Sequence, residues 1–103
     1  MTIWKSTLNP FQHQQTLDVP KGSKFLWVQA QGDLVHGVSL TIWYSVPERT
    51  APGEPREIVI MMTGQEYEFP VDVLTHIGSC IHLTYVLHVF ELVPGYRGPG
   101  WKE

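Results

Sequence analysis

At 103 residues, with 43% hydrophobic and only 17% charged side chains, the chain is the size of one domain with its own core and an unusually uncharged surface. Seven Lys and Arg against ten Asp and Glu leave a formal charge of -3, so the basic excess that phosphate contacts require is missing and duplex nucleic acid is excluded as an expected partner. Cys80 is the single cysteine and forms no internal disulfide, the N-terminus lacks a secretory-signal pattern, and no apolar run approaches the ~20 residues of a membrane span; the expected setting is the cytoplasm, away from membrane.

Taken in order, Thr2 to Leu8 mixes β-branched, aromatic and polar residues and stops at the turn signal Asn9-Pro10, which predicts a first strand. Gln12 to Val19 alternates Gln15, Leu17 and Val19 against Thr16 and Asp18, a second strand leading into the turn Pro20-Lys21-Gly22-Ser23. Phe25 to Gln31 continues as a third strand, and Gln31-Gly32-Asp33 is the expected hairpin connection to the next. Leu34 to Val46 reads as a long fourth strand with a bulge or close crossing at Gly37 and a core face of Leu34, His36, Val38, Leu40, Ile42 and Tyr44.

Pro47 to Pro55, with three prolines, a glycine and several charges, is an exposed irregular loop and the expected mobile segment. Arg56 to Thr63 is a fifth strand, apolar on both faces, and Gln65 to Pro70 a short edge segment. Val71 to Cys80 suits a helical turn or a strand, with strand favoured. Ile81 to Leu92 contains no Gly or Pro and reads as one long strand with a face of Ile81, Leu83, Tyr85, Leu87 and Val89. The organisation expected is a single β domain over 1–93 and a flexible Pro/Gly-rich tail over 94–103. Short strands separated by turns, without a long amphipathic helix, predict an all-β, mostly antiparallel small sandwich or barrel of about 6–8 strands.

Chemistry-bearing patterns are weak. His82 and His88 lie six residues apart, roughly 20 Å along one strand, so they share no ion; a site of His36 with His88 and a carboxylate is the remaining arrangement, and the expectation is no metal and no cofactor. Cys80 sits where a thiol is normally a small buried hydrophobe, Ser39 and Ser79 lack a nucleophile elbow, and Pro52-Gly53-Glu54-Pro55 lacks the Lys and helix of a phosphate loop. The chain is therefore read as a non-enzyme.

The stronger signal is a second apolar face. Trp27, Trp43, Val59, Met61, Val86 and Phe90 all fall opposite the core by strand alternation, and form one surface if their strands are neighbours. Either a second sheet covers it, or it is a homo-oligomer seam or partner surface, for which Trp is well suited. Tyr96, Arg97, Trp101 and Lys102 add two aromatics and two cations in the tail.

Ile3-Trp4-Lys5, the Val19-Pro20-Lys21-Gly22-Ser23-Lys24-Phe25-Leu26 segment with Val28-Gln29, the Val46-Pro47-Glu48 to Pro55-Arg56 loop, Thr63-Gly64, His76-Ile77-Gly78 and Leu87-His88-Val89-Phe90-Glu91 resemble a family of short phage and prophage proteins of no assigned activity. Tyr96 to Glu103 and Ser39 to Tyr44 depart from that pattern. The resemblance implies a viral accessory protein in the host cytoplasm and brings no catalytic residues with it. The expectation is a homo-oligomeric inhibitor or adaptor that binds a host defence protein through Trp27, Trp43, Met61, Phe90, Tyr96, Arg97 and Trp101. The alternatives are a nucleotide-binding protein, with Arg97, Arg56 or Lys24 meeting phosphate, and a minor virion component.

Overall fold

The structure, a computed structural model, describes residues 1–33, 35 and 37–96, the side chain of Asp33 excepted. Among them stand seven strands: β1 (Thr2–Leu8), β2 (Gln14–Pro20), β3 (Lys24–Asp33), β4 (Gly37–Val46), β5 (Gly53–Met62), β6 (Leu74–His82) and β7 (Tyr85–Leu92). They form two antiparallel sheets, β1-β4-β3 and β2-β5-β7-β6. The fold is an all-β sandwich, as the strand pattern predicts.

Alternation decides which face of each strand is hidden. Leu40 and Ile42 point inward from β4 and meet Ile58 and Ile60 of β5 and Leu87 and Val89 of β7, with Leu8 and Val28 completing the packed layer, while Tyr44 and Val46, further along the same face of β4, pack with Val19 of β2. Removing each such side chain from water contributes about 1.5–3 kcal/mol. The Ser6 and Tyr44 hydroxyls satisfy one another at 2.8 Å. Pro55 is tolerated inside β5 because it faces Asp18 of β2 in a stretch that the β5–β7 ladder, beginning at Ile58, does not reach.

The sheets close on each other along β3 and β6. A bulge between His76 and Gly78 interrupts the β6–β7 register, and there Gly78 comes so close to β3 that a Cβ would lie 3.0 Å from Cγ2 of Val28. Arg56 also reaches across from β5. Its guanidinium pairs with Glu91 of β7, donates from Nη1 to the Ser23 carbonyl at 2.9 Å and lies 4.9 Å from the Phe25 ring centroid. The Glu91 hydrogen bond raises the Arg56 pKa above its ordinary value, partly offset by desolvation.

Several expectations are corrected. Ile81 to Leu92 is not one strand: His82 pairs with Tyr85 and the chain reverses through Leu83-Thr84, so the stretch is the β6–β7 hairpin. Its composition records strand propensity but carries none of the Gly or Asn that normally marks a two-residue turn. Leu83 accordingly has φ +57, a left-handed conformation that costs an ordinary L-residue about 1–2 kcal/mol. The β3–β4 reversal falls beyond Asp33, which pairs with Gly37, rather than at Gln31-Gly32-Asp33; Gly37 opens β4 instead of bulging it. Gly32, at φ +112, must be glycine, since a Cβ would lie 2.1 Å from the Gly37 carbonyl. Of the β4 core face, Leu34 and His36 lie outside the described residues.

Gln65 to Pro70 forms no edge strand. This connection runs over the outer face of the four-stranded sheet, where Tyr67 accepts the Met62 N–H at 3.0 Å and Phe69 packs on Val59, Val73 and Leu92. Val71–Val73 makes one 3-10 turn before β6, so both readings of that stretch hold in part.

Candidate functional site

Pairing around β4 builds the outer face of the three-stranded sheet. Lys5 of β1, Trp43 of β4 and Trp27 of β3 stand opposite one another in a single cross-strand row. On one side of it lie Ile3, Ser45 and Lys24, and on the other Thr7, Thr41 and Gln29. Strict alternation would place Phe25 on this face too. A bulge between Phe25 and Trp27 turns Phe25 into the core, edge-on to Tyr44, and leaves Trp27 outside.

Trp27 is 57% exposed and its indole N–H donates to Gln29 at 3.4 Å, while Trp43 is half-buried beside it. Lys5 and Lys24 are exposed, and among the described side chains of this face none is a carboxylate. Two indoles with no ring among the described residues stacked over them, two ammonium groups and a rim of amides and hydroxyls suit a flat or extended partner of anionic character.

The other predicted residues are elsewhere. Met61 and Phe90 belong to the outer face of the four-stranded sheet, on the opposite side of the sandwich from Trp27 and Trp43, so the expected six-residue apolar surface is two surfaces. On that second face the 63–73 connection buries Val59 fully, Met61 is half-covered, Phe90 lies against His76 at 5.2 Å, and Val86 is exposed. Tyr96 packs on Phe69 at 6.0 Å, so the chain up to that residue is attached to the domain. Arg97 and Trp101 lie outside the described residues. Arg56, expected to meet phosphate, is committed to Glu91 and Ser23; Lys24, like Lys5, lies on the face of the tryptophans.

Sequence reasoning missed a polar chain on the second face. His88 places Nε2 2.7 Å from the Thr63 hydroxyl and Nδ1 2.7 Å from that of Ser79, which in turn lies 3.0 Å from Nε2 of His76. Only the β6–β7 hairpin, which pairs Ser79 with His88, brings them together. Both His88 nitrogens are thereby engaged, and among the described residues no group of three His, Cys, Asp or Glu is placed to hold a metal ion. Cys80 is half-buried against the core, and burial pushes its thiol pKa up, against a backbone hydrogen bond with Ala30, so the nucleophilic thiolate is disfavoured.

A family model, Domain of unknown function (DUF7352), matches residues 1–97, a range that takes in all seven strands and Tyr96. The chain belongs to this family. No curated protein and no solved structure matches this DUF7352 chain.

Proposed function

We propose that this DUF7352 protein is a non-enzymatic binding protein, a phage accessory factor of the host cytoplasm that antagonises a host defence process by docking on a host protein through the Trp27–Trp43 face. One observation carries the reading: two tryptophans share a cross-strand row on an outer face that no other segment among the described residues covers. Leaving large indoles exposed to solvent has no folding benefit, whereas at protein interfaces Trp is among the residues that dominate affinity. The phage setting is supported by the sequence resemblance alone.

Affinity capture from host lysate tests this with the native chain beside Trp27→Glu/Trp43→Glu. A host protein held in stoichiometric amount by the native chain and lost by the double variant, at an unchanged melting temperature, is the expected result. Identical captures would remove the face from consideration. Lys5 and Lys24 beside the indoles favour a second reading, a nucleotide stacked on the same row. It requires a melting temperature that climbs with ligand concentration across a nucleotide panel, and a flat response rejects it.

A further inference from the structure

We propose that the free edge of β1 takes an added β-strand from a partner polypeptide, a segment that alternates apolar and acidic residues. This edge borders the Trp27–Trp43 face, but the inference stands on backbone pairing and does not rest on that reading.

The two sheets are unequal, three strands against four, and they close on each other along β3 and β6. The place of a fourth strand in the smaller sheet therefore falls beside β1. Trp4, pointing inward from β1, packs on the cluster of Val19, Tyr44 and Val46 and is still only half-buried. Among the described residues β1 pairs with β4 alone, from Thr2 opposite Val46 to Leu8 opposite Leu40 with no register shift, and no other backbone hydrogen bond reaches it. Every second residue of β1 thus turns an N–H and a C=O away from the sheet, a row of donors and acceptors that complements another extended backbone. The other edges are blunted: β2 carries Asp18 and ends in Pro20, while β3 and β6 are bulged and lie against each other. β1 contains no Pro, Gly or bulge.

Side chains select the occupant. Ile3, Lys5 and Thr7 point outward, so a strand laid beside β1 brings alternate residues into the rows that hold Trp43 and Trp27. An acidic residue opposite Lys5 has its Cβ about 4.5–5.5 Å from that of Lys5, within reach of an ion pair. The residues between point inward and cover Trp4, which calls for apolar ones. Acids of this chain lie away from the edge: Asp33 is on β3, at the far side of the sheet and six residues from Trp27, roughly 20 Å along the strand. Glu48, two residues past Val46 in the chain, is followed by Arg49. A second copy is a poor occupant, because Thr2–Leu8 carries Lys5 and no acid, and pairing it with itself gathers like charges on one edge.

Nitrogen-15 correlated NMR of the full chain tests this with two capped heptapeptides at up to millimolar concentration, one alternating Val with Glu and one alternating Val with Lys. The Val-Glu peptide is expected to shift the Thr2–Leu8 amides and to slow hydrogen exchange at every second one, and the Val-Lys peptide to do neither. Lys5→Glu, a change at an exposed position, is expected to reverse that preference at an unchanged melting temperature. β1 amides unmoved by millimolar Val-Glu peptide overturn the proposal, and so does equal binding of both peptides. Shifts confined to the Trp27 and Trp43 indoles overturn strand addition while leaving the indole face as a docking surface. Protection of the β1 amides that grows with protein concentration in the absence of peptide gives the edge to a second copy and also overturns it.

Discussion

Glu91→Ala is expected to cost about 3 kcal/mol of folding stability, seen as a fall of roughly 10 to 20 °C in the melting temperature. Both members of the Arg56–Glu91 pair are largely out of water, with side chains 14% and 15% exposed. Deleting the carboxylate therefore leaves a guanidinium with too little hydration and its main partner gone. The damage also spreads beyond the pair. Arg56 links the sheets through the Ser23 carbonyl and the Phe25 ring, and an Arg56 that turns outward to find water gives up both contacts. Replacing both residues by apolar ones of similar size, Arg56→Met with Glu91→Leu, is expected to recover most of the loss, because the cost lies in the stranded charge rather than in the missing attraction. Chemical denaturation of the two single variants and the double variant gives the coupling directly; a Glu91→Ala protein within about 0.5 kcal/mol of the native chain would show that the pair is a surface contact of little weight.

Gly78→Val is expected to destabilise the sandwich by about 2–3 kcal/mol, the cost of overpacking a filled core. A Cβ at this position would already lie 3.0 Å from Val28 Cγ2 and 3.6 Å from the Val28 amide nitrogen, and Val28 is fully buried. The γ-methyl groups of valine add to that contact, so β3 and β6 must separate where the sheets close. Gly78→Ala should cost less, since one methyl group requires only a few tenths of an ångström. Urea midpoints for the pair check the order, and a Gly78→Val protein as stable as the native chain would mean that β3 and β6 do not approach so closely.

These two contacts mark the boundary of what the sequence discloses. Strand identity was legible where polar and apolar residues alternate between recognisable turn residues: Thr2–Leu8 agrees at both ends, and the inward face of β4 follows from Leu40, Ile42 and Tyr44. Turns were legible only through glycine, proline or asparagine. Leu83-Thr84 has no such residue, so a hairpin looked like one strand, and the His76–Ser79–His88–Thr63 chain that depends on it stayed hidden. Bulges leave no mark on composition either, and the one before Trp27 is what separates Phe25 from the exposed face.

For the candidate site, alternation correctly placed Trp27 and Trp43 opposite the core face of their strands, but it contains no information on which sheet a strand joins. Met61 and Phe90 were therefore grouped with tryptophans that stand on the other side of the sandwich. Arg56 shows the same limit. A cation read along the chain is available to an anionic ligand until the fold reveals a carboxylate two strands later in sequence order already holding it.

The claim that the indole row is the docking surface is tested most directly by nitrogen-15 correlated NMR of the tryptophan indole N–H groups, recorded as the captured host protein is added. Trp27 and Trp43 signals are predicted to shift or broaden at stoichiometric partner while that of Trp4, on the inward face of β1, stays in place. Indole signals of Trp27 and Trp43 that remain unmoved in the saturated complex would contradict the account.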